Sequence, residues 1–102
     1  MTNLSYEGAG GTSLYACRLD VGRFEPSERL PTLVLLHGGG PDHQSLAPLG
    51  EGLTDLCSVI LPDIRGYGRS VCSEPKAHTW SSYASDVIRL LDDLDLERAI
   101  IG

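Results

Sequence analysis

No apolar run in this chain approaches the roughly 20 residues that a membrane-spanning helix needs, and the N-terminus, Met1-Thr2-Asn3-Leu4, has neither the basic flank nor the apolar core of a secretory signal. The expectation is a cytoplasmic protein without a membrane partner. Cysteine is scarce. Cys17, Cys57 and Cys72 are odd in number, widely spaced and without a C-x-x-C, a pattern that excludes a disulfide framework and indicates no zinc or other metal site. Basic residues are also few: 8 Lys and Arg stand against 14 Asp and Glu, for a net charge of -6. With no basic cluster able to track a phosphate backbone, nucleic acid is excluded as a partner. Asp92, Asp93, Asp95 and Glu97 gather at the end of a predicted helix and read as solvated surface. There is no internal repeat and no low-complexity tract. Hydrophobic residues at 41% and charged residues at 22% are ordinary globular usage, so the chain is expected to fold, and 102 residues leave room for one domain only.

The pattern of elements begins with a β-hairpin: Leu4 to Glu7, a glycine-rich turn at Gly8-Ala9-Gly10-Gly11, and Thr12 to Arg18. Arg23 to Pro31, with two prolines and four charges, is expected to be a surface loop. Thr32-Leu33-Val34-Leu35-Leu36 is unbroken and apolar, as a parallel strand covered on both faces must be. Leu46, Leu49, Leu53 and Leu56 then recur at helical spacing, with Pro48 tolerable only if the helix begins near Ser45 and with Gly50 and Gly52 weakening it. Cys57 to Leu61 is a second buried strand, which Pro62 should end by withholding a donor. The strongest periodicity is Trp80, Tyr83, Ala84, Val87, Ile88, Leu91 and Leu94, one apolar stripe on a helix capped by Thr79, with Trp80 and Tyr83 expected in its core. Ala99-Ile100-Ile101 starts a last strand. The fold class is α/β, an antiparallel hairpin followed by parallel β-α-β-α-β.

The segment His37-Gly38-Gly39-Gly40-Pro41-Asp42 follows a buried strand and precedes a helix, where glycines let backbone N–H groups approach a ligand closely. Two chemistries need such a turn. One is an oxyanion hole, in which a backbone N–H stabilises the negative oxygen of a tetrahedral intermediate. The other is a dinucleotide loop, G-x-G-x-x-G, with Asp63 holding a ribose. The dinucleotide pattern fails in detail, because its sixth position is His43, Pro41 interrupts the loop, and a hairpin precedes the first parallel strand. A purely structural glycine turn is the remaining alternative.

The second informative segment, Asp63-Ile64-Arg65-Gly66-Tyr67-Gly68-Arg69-Ser70, stands just after the next strand. Here the chain resembles the α/β-hydrolase fold family, whose members carry H-G-x after the third strand and D-x-R-G-x-G-x-S after the fourth. The resemblance continues through Tyr83-Ala84-x-Asp86-Val87 and Leu90-Leu91-Asp92-x-Leu94 to a strand ending in Gly102. It implies the N-terminal portion of an α/β-hydrolase sheet, so that residues 1–102 would be a partial domain.

By this resemblance Gly39 presents an oxyanion N–H, with Gly40 as the alternative donor. His37, Gly38, Asp63, Arg65, Gly66 and Gly68 shape the loops around the active site, one or both of the last two glycines needing a positive φ. His43 is a candidate substrate contact at the mouth of the cleft. None of His37, His43 and His78 matches the family's catalytic histidine, and Asp63 does not match its acid, which follows the nucleophile. Asp95 stands where relatives often have glycine after the helix, asking an aspartate for a left-handed cap. The family's G-x-S-x-G elbow would begin at Gly102. The nucleophile, acid and base are therefore expected outside 1–102, and the chain as given is expected to be inactive. The intact parent would hydrolyse an ester, amide, epoxide or carbon-carbon bond of a small-molecule substrate without metal or organic cofactor. The competing expectation is a complete, non-catalytic binding protein that uses its last strand as an open edge, with self-association through that strand.

Overall fold

Alternating side chains and a glycine turn make the first two strands. β1 (Thr2–Glu7) and β2 (Ser13–Leu19) pair antiparallel, from Thr2 opposite Arg18 to Glu7 opposite Ser13. The computed structural model describes residues 2–19, 31–38, 42–72 and 78–102. The surface loop expected over 23–31 lies outside these except for Pro31, and Gly39 and Gly40 lie outside them as well.

β3 (Thr32–Val34), β4 (Ser58–Pro62) and β5 (Ile100–Ile101) complete a five-stranded sheet in the order β1-β2-β4-β3-β5. β4 runs antiparallel to β2, and β3 is parallel to both β4 and β5. The expected hairpin and parallel unit thus share one sheet. Backbone pairing carries on beyond β3, because Leu35 N–H donates to Ile60 O at 3.0 Å and Leu36 N–H to Gly102 O at 2.9 Å. Pro62 ends β4 as expected. It is the strand's last residue, opposite Ala16, and Asp63 N–H still donates to Tyr15 O at 2.9 Å. A proline removes one donor but leaves its neighbours free to pair.

Strand alternation splits the core in two. Tyr6, Leu14, Ala16, Val34 and Ile60 face one side and receive Leu90. Cys17, Leu19, Leu33, Leu35, Val59 and Leu61 face the other and receive Ala47 and Leu53. α1 (Ala47–Leu53) supplies the second set, entered through a 3₁₀ turn at His43–Leu46 whose cap, Asp42, accepts from Gln44 N–H, with Pro48 in the first turn where its missing donor costs nothing. Gly50 is buried against Leu19 and Val59, so the glycine that weakens the helix also lets it lie close to the sheet.

α2 (Trp80–Asp93) begins as expected, with Thr79 Oγ1 accepting from Ser82 N–H at 3.0 Å. It ends in a Schellman arrangement in which Leu96 N–H reaches Leu91 O and Asp95 adopts φ 57, the expected left-handed cap. Its apolar stripe behaves differently from expectation. Leu90 is fully buried, but Trp80 is 87% exposed and Ile88 59% exposed, so Trp80 is not core. The stripe is wide enough for two contacts, and among the described residues it is the flank toward Tyr6 and Leu14 that finds one.

Candidate functional site

Because β3 and β4 are parallel neighbours, the loops that leave their C-terminal ends lie side by side, the position at which open α/β sheets place ligands. His37 leaves β3 and joins them. Its ring is buried, with Nε2 accepting from Ile64 N–H at 3.0 Å and Nδ1 lying 2.7 Å from Gly38 O. An acceptor Nε2 carries no proton, so Nδ1 is the protonated nitrogen and donates to Gly38. Tyr67 packs edge-on against the ring, centroids 5.3 Å apart.

Asp63 is the second tie. It is 1% exposed, and its Oδ1 accepts from both His43 N–H at 2.8 Å and His43 Nδ1 at 2.7 Å, while Oδ2 accepts from Arg69 N–H at 3.0 Å. Burial pushes the carboxyl up, but the backbone N–H groups of Arg69 and His43, with the His43 ring, more than offset this and hold it below the usual carboxylate value. His43, expected at the mouth of the cleft, is buried with its ring engaged by Asp63. Asp42, His43 and Asp63 bring ligand-type atoms within 4.8 Å of one another. Their hydrogen bonds already use these atoms, since His43 Nδ1 donates to Asp63 and Asp42 Oδ1 accepts from Gln44 N–H. The group is a satisfied hydrogen-bond hub.

The turn after Asp63 needs its glycines. Gly66 has φ 89 and Gly68 φ 52, as expected, and a Cβ on Gly68 would lie 2.5 Å from Asp63 Oδ2. Ser70, buried at the end of the turn, accepts from Tyr15 N–H at 2.9 Å, and the Arg69 guanidinium sits 4.9 Å above the Tyr15 ring.

Arg65 turns away from this hub into the interior. Nε and Nη2 donate to the two oxygens of Asp86 at 2.9 and 2.7 Å, Nη2 also reaches Ala9 O at 2.8 Å, and Nη1 reaches Thr12 Oγ1 at 3.0 Å. Asp86 accepts in addition from Ala9 N–H at 2.9 Å. One guanidinium therefore fastens the β1–β2 turn, α2 and the loop after β4. Asp86 raises the Arg65 pKa further despite burial, and burial followed by the Asp86 charge raises that of Tyr6. Among the described residues no buried side-chain polar atom lacks a partner.

Sequence reasoning assigned no role to Asp86, Thr12, Ser70 or Tyr15. The available signal was Asp86 itself, an acid three residues after Tyr83 and four before Leu90, on the helix flank that turns inward. The oxyanion candidates Gly39 and Gly40 lie outside the described residues; Gly38, just before them, is exposed.

Residues 33–102 match the alpha/beta hydrolase family. The chain belongs to that family. A RutD protein of Caulobacter sp. (strain K31), provisionally named a carbamate hydrolase, is 35% identical over 78 residues, covering 76% of this chain and 29% of its own. The enol-lactonase from Burkholderia xenovorans LB400 superposes with a TM-score of 0.78 at 28% identity, over 94% of this chain and 35% of that one. Epoxide hydrolase A from Mycobacterium thermoresistibile gives 0.80 at 28% identity, over 98% of this chain and 30% of that one. The chain thus spans about three tenths of the length of the relatives it matches. This alpha/beta hydrolase sequence has no helix among its described residues long and apolar enough to cross a membrane.

Proposed function

We propose that this chain furnishes the N-terminal part of a hydrolase active site, the oxyanion loop and its supports, for attack on an ester, amide, epoxide or carbon-carbon bond of a small molecule. The observation that carries the reading is the double fastening of the loop after β3 to the loop after β4, by His37 on one side of residues 39–41 and by His43 on Asp63 on the other. An oxyanion donor is most effective when it is fixed where negative charge develops, without reorganisation during the reaction. Gly39 N–H, with Gly40 as the alternative, is the donor in this reading. The nucleophile, acid and base come from the remainder of the parent protein, and residues 1–102 alone are inactive. No metal or organic cofactor enters the reading. The cytoplasm is the assigned compartment, supported by three cysteines that form no disulfide with one another.

The test is p-nitrophenyl acetate hydrolysis by residues 1–102 and by a chimera joining them to the segment of the Caulobacter relative that follows its matched stretch. The expected result is no turnover above buffer for the first and turnover for the second. Replacing Gly39 or Gly40 by Pro, which removes one N–H, should cost the chimera about 10²–10³ in kcat at whichever position is the donor. Turnover by 1–102 itself, abolished by a substitution within it, overturns the reading. A second reading, a non-catalytic protein binding a partner through β5, draws on Ile100 and Ile101, half exposed at the sheet edge. Capture of a partner that Ile100→Lys releases, with an inactive chimera, would favour it.

A further inference from the structure

Tyr15 belongs to the hairpin, yet it touches both of the loops from which the candidate site is built. Its backbone is tied to the two ends of the turn after β4. The Tyr15 carbonyl accepts from Asp63 N–H at 2.9 Å, and its own N–H donates to Ser70 Oγ at 2.9 Å. Its ring carries the Arg69 guanidinium 4.9 Å from the centroid and lies 5.5 Å, centroid to centroid, from the His43 ring at a tilt of 52°. The hydroxyl is engaged elsewhere, donating to Asn3 Oδ1 at 2.7 Å, which sets the rotation of the ring. A chain of contacts therefore runs inward from exposed Arg69 through half-buried Tyr15 to buried His43.

His43 holds Asp63 Oδ1 by two bonds of different kinds, one from its backbone N–H and one from Nδ1. The second depends on the rotamer, because an imidazole turned about χ1 or χ2 takes its donor away from the carboxylate. A neighbouring ring in contact excludes the rotamers that would sweep through it. Both bonds share one acceptor atom, so the chain at residue 43, three positions after Gly40, is placed together with its ring.

We infer that Tyr15 is a positioning residue of the proposed hydrolase site: by confining the His43 ring to Asp63 it fixes the chain at the C-terminal end of the candidate oxyanion loop. The inference rests on the hydrolase reading. Tyr15 acts through His43 rather than on substrate, and the working part of its side chain is the ring, since the hydroxyl is spent on Asn3. Arg69 supports that ring through a cation–π contact.

The experiment places Tyr15→Leu, Tyr15→Phe and Arg69→Leu in the chimera and in residues 1–102. In the chimera, Tyr15→Leu should lower kcat for p-nitrophenyl acetate by about 10–100-fold with KM unchanged, because positioning is lost while binding is not. Tyr15→Phe, which keeps the ring, should restore kcat. Arg69→Leu should lose about 2–5-fold, the worth of an exposed cation over a ring. In residues 1–102 the reporter is the His43 Nδ1 proton, identified in the NMR spectrum of 15N-histidine-labelled protein by its loss in His43→Gln. Its exchange with water should be several-fold faster in Tyr15→Leu and unchanged in Tyr15→Phe. A folded Tyr15→Leu chimera with the kcat of the unsubstituted one overturns the inference. So does a Tyr15→Leu protein whose melting temperature falls while the His43 proton exchanges as before, which would make Tyr15 a packing residue only. If Tyr15→Leu does not fold, Arg69→Leu decides, and an unchanged kcat with an unchanged proton overturns the inference. A chimera without turnover sinks the hydrolase reading, and the His43 proton alone then decides whether Tyr15 holds the ring. Turnover with a His43 proton indifferent to Tyr15→Leu keeps the hydrolase reading and removes this one.

Discussion

Arg65 carries its charge into the interior, and its partner Asp86 is buried with it, their side chains being 2% and 7% exposed. Removing one member of such a pair strands the other charge away from water. Arg65→Ala and Asp86→Ala should each cost about 3–5 kcal/mol of unfolding free energy. Arg65→Met with Asp86→Leu should recover much of that loss, as read from urea titrations of the four proteins. Asp63 makes a different prediction. Its pKa is lower folded than unfolded, so its contribution to stability is complete above the unfolded value and is lost as pH falls through the folded one. Asp63→Asn should therefore flatten the acid limb of a stability-pH curve below about pH 4 while lowering stability at neutral pH. An unchanged acid limb would remove Asp63 from the hub described here.

At the scale of elements, the turn after β4 is set by two constraints acting together, backbone sign and crowding. Gly68 and Gly10 both have positive φ, 52 and 71, but a Cβ on Gly68 meets Asp63 and Asp42 whereas one on Gly10 meets nothing within 4 Å. Gly10→Ala should cost only the left-handed penalty of about 1–2 kcal/mol. Gly68→Ala adds displacement of the Asp63 carboxylate and should cost about 3 kcal/mol or more. Equal melting temperatures for the two variants would show that the turn does not depend on the approach of Asp63.

For the whole molecule the dominant feature is the asymmetry of its surface. At one edge of the sheet β1 exposes polar residues, Thr2, Asn3, Ser5 and Glu7, and at the other stands β5, where Ile100 and Ile101 are 54% and 49% exposed, with Trp80 and Ile88 nearby on α2. An apolar edge strand with unpaired backbone groups templates another chain. Residues 1–102 should accordingly self-associate as concentration rises and bind an apolar dye, and Ile100→Lys should reduce the association by opposing like charges at the edge. Light scattering that stays monomeric for the unsubstituted protein across the accessible concentration range would contradict this.

The amino-acid sequence by itself determined the elements and their order. Alternation wrote the hairpin, unbroken apolar runs wrote β3 and β4, and 3.6-residue periodicity with Thr79 and Asp95 at its ends wrote α2, because each of these signals is local and needs no partner from elsewhere. It also located the two loops that matter, one through the run His37-Gly38-Gly39-Gly40 and the other through Gly66 and Gly68, which have the positive φ that glycine adopts freely. What only the tertiary structure decided is which side chains meet. That Arg65 finds Asp86 21 positions away depends on α2 packing back over the sheet beside the loop after β4, and that Asp63 takes both N–H groups of His43 20 positions away depends on parallel strands setting two loops side by side. The same holds for Trp80, whose apolar spacing reads as core but whose flank of α2 faces a trough. Periodicity marks a residue as able to be buried, and only the packing of the other elements determines whether anything is there to bury it.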